Sequence, residues 1–317
     1  MSDELLCKIL PWVGLGTSTH IKAGHAALVL IHKVSGQAYY YDFGRYITPP
    51  GKGRVRSAHT DAELHIPIRA QFEQNELLNL HEFLSWLSRH PEKTHGDGRM
   101  IASLCDEVDF DRAQAYILGL QMRGSIPYKA FGNGSNCSRF VTETLLASTW
   151  DEKLRKGLNQ HKKFTPSTVG NVEKSAGKTG IFEVIEGEVK PYRSSALQEN
   201  LSNYFDKRVP VAKSDKLIHP IHPQAQFLSG TGSSAYFRLE EGHAGNYKIH
   251  RYTERGVLDF SGLFAVQGVF DIYTPYTFTY DSHCSHCRLV QNGKTFDFKL
   301  VERLELRPNS AQKAHSA

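Results

Sequence analysis

Cys137 and His25 are residues whose local sequence suits nucleophilic chemistry. A thiol attacks a carbonyl as its thiolate, and a place at a helix start lowers its pKa, because unpaired backbone N–H groups and the helix dipole favour negative charge. Cys137 follows Asn136 in GNGSNCSRFV, where a glycine-rich stretch ends and an amphipathic run containing Phe140 and Val141 begins. We therefore predict that Cys137 lies in the first turn of a helix.

His25 suits the part of the general base that such a thiol needs. An imidazole takes the thiol proton and returns it to the leaving group. His25 follows Gly24 at the head of the apolar run GHAALVLIHKV, which is typical of a buried strand. A histidine at a strand start is more often structural, and a cysteine among apolar helix residues is more often core filler. The pattern alone leaves both interpretations open.

The elements around these two residues follow from periodicity and turn signals. A Ser-Gly pair at residues 35–36 predicts a hairpin between GHAALVLIHKV and QAYYYDF. Apolar residues at helical spacing predict helices over residues 74–88 and 111–121. Residues 45–57 contain two prolines, two glycines and four Lys or Arg, so we expect a long basic loop. A solvated loop is the favoured interpretation of these charges, and recognition of an acidic substrate group is the alternative, through Arg45, Lys52, Arg54 and Arg56.

The second half of the chain has a different pattern. Short aromatic and β-branched runs after residue 220 predict antiparallel strands, with Asn292-Gly293 as a hairpin turn. We therefore expect an α+β protein. Its predicted parts are a domain with an antiparallel sheet packed on helices (1–180), a connecting region (181–215), a smaller, mainly antiparallel β domain (216–306) and a flexible tail (307–317).

The order of these parts resembles a known family. GHAALVLI, then a hairpin, then NCSRFV opening a helix, is similar over residues 17–169 to the circularly permuted branch of the NlpC-like papain superfamily, which includes lecithin:retinol acyltransferase-like proteins. Ordinary members place the cysteine helix before the histidine strand, and permuted members place the histidine strand first. The resemblance implies a permuted papain-like domain and a cysteine peptidase or amidase, with Cys137 as nucleophile and His25 as base.

The same resemblance implies a third polar residue on the strand after the histidine, which orients the imidazole ring. If the Ser-Gly pair is a two-residue turn, Val29 faces Asp42, so Asp42 and Tyr40 share the face of His25. Asp42 is the first choice and Tyr40 the reserve. In that register Asp42 lies four residues from the position opposite His25, too far for contact without a bulge or a longer turn. Asp42 as the start of a loop stays the alternative.

The HCSHC segment at residues 283–287 is a second cluster of potentially reactive side chains. It places four possible metal ligands, Cys284 and Cys287 among them, within five residues. A tetrahedral zinc site normally needs a second ligand pair, and the available residues are scattered histidines such as His243 and His250. A hairpin corner with reduced thiols is the favoured interpretation. We predict no metal and, since no complete glycine-rich phosphate motif is present, no other cofactor.

Composition excludes several classes of protein. Of the 317 residues 40% are hydrophobic and 22% charged, which is typical of a globular chain. The net charge of +5 arises from 38 Lys and Arg scattered among 33 Asp and Glu, so nucleic-acid binding is not expected. No apolar run approaches the roughly 18 residues of a membrane helix. Acidic residues near the N-terminus and five cysteines lead us to expect a cytoplasmic protein with reduced thiols.

These inferences favour one function over two others. We predict hydrolysis of an amide bond, in a peptide or an isopeptide, through a thioester intermediate, with a peptide or protein as substrate. Lipid acyl transfer is the second hypothesis, although it predicts an apolar membrane anchor that we do not find in the sequence. The third is an inactive papain-like core whose β domain recognises a partner.

Overall fold

The computed structural model describes residues 24–94, 98–129, 132–163, 167–205 and 221–306. Within these ranges the chain has seven α-helices, sixteen β-strands in antiparallel sheets and a 3₁₀ turn over Ala62–Leu64. The expected α+β class is confirmed. The described residues divide into two compact units, of which the second comprises residues 46–50, 59–63 and 221–306 and the first the remainder. The predicted tail at residues 307–317 lies outside the described residues.

The first unit is built on a four-stranded sheet with the order β1-β2-β3-β7, beside a two-stranded sheet β4-β5 and a three-stranded sheet β6-β8-β9. In chain order its elements are β1 (Ala27–Ile31), β2 (Ala38–Gly44), β3 (Lys52–Arg56), β4 (Phe72–Glu73), β5 (Glu76–Leu77), α1 (Leu80–Ser88), α2 (Pro91–Thr94), β6 (Met100–Ser103), α3 (Phe110–Met122), β7 (Ile126–Pro127), α4 (Cys137–Ser148), α5 (Glu152–Lys162), α6 (Thr168–Ser175), β8 (Ile181–Ile185), β9 (Glu188–Pro191) and α7 (Ala196–Phe205).

Strand β2 is buried on both faces, which explains its aromatic sequence. Phe43 packs in one core cluster with Ile117 of α3 and Phe140 of α4, and all three side chains are nearly inaccessible. Tyr40 lies in another cluster that includes Phe83 of α1. Each fully buried apolar side chain stabilises the fold by about 1.5–3 kcal/mol. These clusters fix the strand on which Asp42 lies.

The hairpin β1-β2 has a longer loop than the sequence indicated. Val29 pairs with Tyr40 and Ala27 with Asp42, so the prediction that Val29 faces Asp42 was wrong. The loop closes through hydrogen bonds from the His32 N–H to Gln37 O (2.8 Å) and from the Gly36 N–H to His32 O (2.8 Å). The residue opposite Asp42 is therefore Ala27, two positions nearer to His25 than predicted. This longer turn is what contact between His25 and Asp42 required.

Two other predicted elements need correction. The helix expected over residues 74–88 begins only at Leu80, because Gln74 and Asn75 both have positive φ (46° and 75°) and form the turn of the β4-β5 hairpin. The basic loop expected over residues 45–57 contains strand β3, in which Arg54 and Arg56 are buried. The helix expected over residues 111–121 is confirmed as α3.

Residues predicted as a connecting region belong in part to the first unit. Strand β8 pairs with β6 and β9, and Glu186 and Gly187 form the tight turn between β8 and β9 with positive φ (51° and 87°). The Val184 side chain on β8 is fully buried. The periodicity of these short strands was too weak to separate them from a linker.

The second unit carries a seven-stranded sheet with the order β10-β11-β12-β13-β16-β15-β14. The Gln226 side chain joins its two edge strands, because its Nε2 donates to Tyr276 O (3.1 Å) and its Oε1 accepts from the Phe278 N–H (2.8 Å). The predicted Asn292-Gly293 turn is confirmed, with φ of 49° and 74°. The strands are β10 (Gln226–Leu228), β11 (Ala235–Glu241), β12 (Tyr247–Thr253), β13 (Leu258–Val266), β14 (Thr277–His283), β15 (His286–Gln291) and β16 (Lys294–Arg303).

Arg251 ties an early part of the chain into the second unit. Its guanidinium donates to Asp61 (3.1 Å) and Glu63 (2.7 Å), and to Asp259 on the neighbouring strand (2.7 Å). The Arg251 and Asp61 side chains are buried, so the pair between them is shielded from solvent. Residues 59–63 are thereby held as part of the β unit. No helix in the part of the chain that the structure describes has the length and apolar character needed to cross a membrane.

Candidate active site

Cys137 is the first residue of helix α4, as the sequence predicted. Asn136 caps the helix, and its Oδ1 accepts the Arg139 N–H at 2.8 Å. The Cys137 sulfur lies 4.0 Å from Gly24 O, and the residue is 9% exposed. A thiol in this position is close to backbone N–H groups that have no partner within the helix.

A buried amide on helix α6 holds the first turn of α4 in place. Asn171 Nδ2 donates to Ser138 O (2.8 Å) and Ser138 Oγ (3.0 Å), and its Oδ1 accepts from Thr142 Oγ1 (2.6 Å). All three residues in this set of hydrogen bonds are buried, so water competes little for them. Asn171 therefore fixes the helix turn that carries the thiol. No local sequence pattern indicated this contact.

His25 and Asp42 are in direct contact. His25 Nε2 lies 3.0 Å from Asp42 Oδ2, and the Tyr40 hydroxyl donates to the same oxygen at 3.2 Å. Asp42 is fully buried, whereas the His25 side chain is 20% exposed. His25 also hydrogen-bonds with Cys137. Because Asp42 occupies Nε2, Nδ1 is the ring nitrogen left for the sulfur.

Arg56 belongs to this group as well, although the sequence indicated it only as a basic-loop cation for an acidic substrate group. Its Nε donates to Asp42 Oδ1 (3.0 Å) and its Nη2 to Asp42 Oδ2 (2.6 Å), and Nη2 also donates to Lys93 O (3.2 Å). The residue is 1% exposed. Asp42 and Arg56 are direct neighbours across β2 and β3, and no local pattern reveals such a pairing between strands. The carboxylate therefore accepts hydrogen bonds from three side chains.

The electrostatics of the site favour a charged pair. Burial would lower the pKa of His25, but hydrogen bonds with Asp42 and Cys137 raise it to about 9. Burial would raise the pKa of the Cys137 thiol, but the hydrogen bond and the charge of His25 bring it below its ordinary value. Burial opposes ionisation of Asp42 as well, and the Arg56 guanidinium holds its pKa well below the usual range. Near neutral pH these shifts favour a thiolate beside an imidazolium.

Tyr128 is a second neighbour of the thiol that the sequence did not reveal. Its side chain hydrogen-bonds with the Cys137 side chain and with the Cys137 backbone. Burial raises the pKa of this phenol, so it remains a proton donor. The ring is stacked with Phe43 at a centroid distance of 5.9 Å, and Gly53 lies so close that a Cβ there would be 2.9 Å from the tyrosine ring. These contacts fix the hydroxyl at the thiol.

The HCSHC segment lies in the second unit, at the corner between β14 and β15. Cys284 and Cys287 are buried, and burial raises the pKa of both thiols. The Cys287 thiol contacts His283 O at 3.4 Å. Among the described residues, no group of three or more His, Cys, Asp or Glu side chains is arranged to hold a metal ion. The described residues thus offer no second ligand pair for the zinc hypothesis.

Two family models match separate parts of the chain. Residues 1–154 match the model for the type VI secretion system effector TseH-like family, and residues 225–301 match the DUF6695 C-terminal domain. No curated protein and no solved structure matches the chain. The first match contains Cys137, His25 and Asp42. The part of the chain that carries this site is therefore similar to type VI secretion effectors of the TseH-like kind.

Proposed function

We propose that this protein is a cysteine-dependent hydrolase of an amide bond in a peptide or protein. The observation that carries the proposal is the hydrogen-bonded series from Cys137 through His25 to Asp42, at the start of a helix. The match to TseH-like effectors supports an enzyme of peptidase or amidase type, and an effector role in type VI secretion. The four described cysteines are free thiols, which supports a cytoplasmic location for the chain.

The proposed reaction has two stages. The Cys137 thiolate attacks the carbonyl carbon, a C–S bond forms, and the carbonyl π electrons move to oxygen. When the tetrahedral intermediate collapses, the C–N bond breaks and the His25 imidazolium gives its proton to the departing amine, leaving a thioester. His25 then takes a proton from water, whose oxygen attacks the thioester, and the thiolate leaves. Asp42 keeps the imidazole ring in place throughout.

Tyr128 supplies the second donor that this reaction needs. The negative oxygen of the tetrahedral intermediate requires hydrogen-bond donors that are already in position. The backbone N–H of Cys137 is one such donor once the substrate oxygen replaces the Tyr128 phenol oxygen that it contacts, because this N–H has no partner within the helix. The Tyr128 hydroxyl bonds to the same residue. We assign the oxyanion to these two groups.

Substitution of the nucleophile tests the proposal. Cys137→Ala should abolish hydrolysis of an amide substrate found by peptide profiling, while circular dichroism and the melting temperature stay close to those of the wild type. Cys105→Ala is the matched control, because Cys105 is a half-buried thiol of the same unit. Full activity of Cys137→Ala on the profiled substrate would end the proposal. A wild-type Cys137 that is inert to thiol reagents at neutral pH would favour the binding-protein alternative.

A further inference from the structure

The chain segments around the nucleophile carry cations and no acids. Residues 43–57 contain four Lys or Arg, residues 121–140 contain three, and neither segment contains Asp or Glu. Asp42, which directly precedes the first segment, is neutralised by its buried pair with Arg56. A substrate that approaches Cys137 between these segments therefore meets a positive potential.

Three of these seven cations are already engaged in the protein. Arg54 and Arg56 are buried in strand β3. Arg139 donates from Nη1 to Gly132 O (3.0 Å) and Gly134 O (3.3 Å), and so shapes the loop before the cysteine helix. These contacts make them structural.

Arg45 is placed differently. It is partly exposed, and its guanidinium carbon lies 5.0 Å from the centroid of the Tyr128 ring. Within the part of the chain that the structure describes, Arg45 has no carboxylate partner. The hydroxyl of the same tyrosine contacts Cys137, so one side chain separates the guanidinium from the sulfur. A cation held on an aromatic face keeps the edge of its planar fork available.

We propose that Arg45 determines specificity by binding a carboxylate of the substrate close to the scissile amide, so that the enzyme prefers acidic peptides. The inference rests on the proposed function and deepens it. A guanidinium binds a carboxylate through two parallel hydrogen bonds, and Tyr128 fixes its orientation before the substrate arrives. Loss of one hydrogen bond between charged groups should lower the rate of reaction with an anionic partner about tenfold or more.

Alkylation of Cys137 tests this inference without a known substrate. The thiolate displaces iodide from iodoacetate or iodoacetamide, so that a C–S bond forms and the C–I bond breaks, and the two reagents differ in the carboxylate. Arg45→Gln should lower the ratio of the iodoacetate rate to the iodoacetamide rate at Cys137 about tenfold. Arg45→Lys should retain part of the preference. Arg123→Gln, which removes an equal charge at the end of helix α3, should leave the ratio at its wild-type value.

A second measurement uses peptides that differ only in Glu, Gln or Lys beside the cleaved amide. The wild type should prefer the Glu peptide, and Arg45→Gln should lose that preference through KM. An unchanged alkylation ratio in Arg45→Gln, with Cys137 still reactive, overturns the inference and leaves the hydrolase proposal intact. An equal drop of the alkylation ratio in Arg123→Gln also overturns it, because the preference then arises from the overall positive charge and not from a contact with Arg45. Slow alkylation of wild-type Cys137 by both reagents overturns the proposed function and this inference together.

Discussion

Arg56 donates one hydrogen bond to each carboxylate oxygen of Asp42, at 3.0 and 2.6 Å, and both side chains are buried. This pair decides what Asp42 can do. With its charge neutralised and its pKa held low, the carboxylate stays ionised and does not take the imidazole proton. Its part is to accept the His25 hydrogen bond and so hold the ring at the thiol. Arg56 thereby sets the orientation of the whole series.

The first prediction concerns the stability that this pair provides. Arg56→Met removes one partner of a buried ion pair, so the free energy of unfolding should fall by about 3–5 kcal/mol. Urea denaturation followed by circular dichroism measures the change. Lys190→Met is the control, since Lys190 pairs with Glu188 at the surface and its loss should have no measurable effect. Equal stabilities for the two variants would show that the buried pair contributes no more than a surface pair.

The second prediction concerns the pH dependence of thiol reactivity. Because His25 lowers the pKa of Cys137, alkylation of Cys137 by iodoacetamide should stay fast below the pH at which ordinary thiols slow down. In His25→Ala the thiol loses its largest source of stabilisation as an anion, so the pKa should rise and the rate at pH 6.5 should fall about tenfold or more. Mass spectrometry of the labelled peptides separates the cysteines.

Cys105 serves as an internal control for this experiment. Burial raises the pKa of its thiol, so it should react slowly at neutral pH in the wild type and in His25→Ala alike. The rate of hydrolysis, unlike that of alkylation, should also fall as pH rises through about 9. At that pH the His25 imidazolium loses the proton that it gives to the amine. Equal rates for Cys137 and Cys105 at pH 6.5 would contradict the charged pair.

The sequence predicted the elements of the site better than the contacts within it. The apolar period and the Asn136 cap placed Cys137 at a helix start, and alternation along a strand placed Asp42 and Tyr40 on one face. These are local signals. The hairpin register was wrong because it depends on the backbone path of the loop, and a Ser-Gly pair is compatible with more than one loop length.

The roles of Arg56 and Tyr128 in the site were missed for a different reason. Arg56 meets Asp42 across two strands, and Tyr128 meets Cys137 from a separate loop. Both residues lie in stretches rich in proline and glycine, a composition that is typical of loops. In the structure Gly53 permits close packing of the strand against Phe43 and Tyr128. Contacts of this kind follow from tertiary packing, which one sequence does not encode locally.

The third prediction concerns the oxyanion donor. Tyr128→Phe removes the hydroxyl and keeps the ring, so its stacking with Phe43 should persist. The hydrolysis kcat should fall by about 100-fold, as it does when one of two oxyanion donors is lost, with little change in KM. Tyr116→Phe is the control, because Tyr116 is a half-buried tyrosine on the neighbouring helix α3. A Tyr128→Phe enzyme with wild-type kcat would remove Tyr128 from the proposed mechanism.

The fourth prediction concerns acid stability. The pKa of Asp42 lies well below its ordinary value in the folded protein, whereas an unfolded aspartate takes up a proton near pH 3.9. The contribution of Asp42 to stability is therefore complete above about pH 5 and is lost as pH falls. Between pH 5 and pH 3 this single group should cost the wild type about 1 kcal/mol of unfolding free energy.

Asp42→Asn lacks the titrating group, so its stability should fall less steeply over that range, although it starts lower because the Arg56 charge has lost its partner. Urea denaturation at pH 5, 4 and 3 measures both slopes, and parallel slopes would mean that Asp42 binds protons alike in the folded and unfolded states.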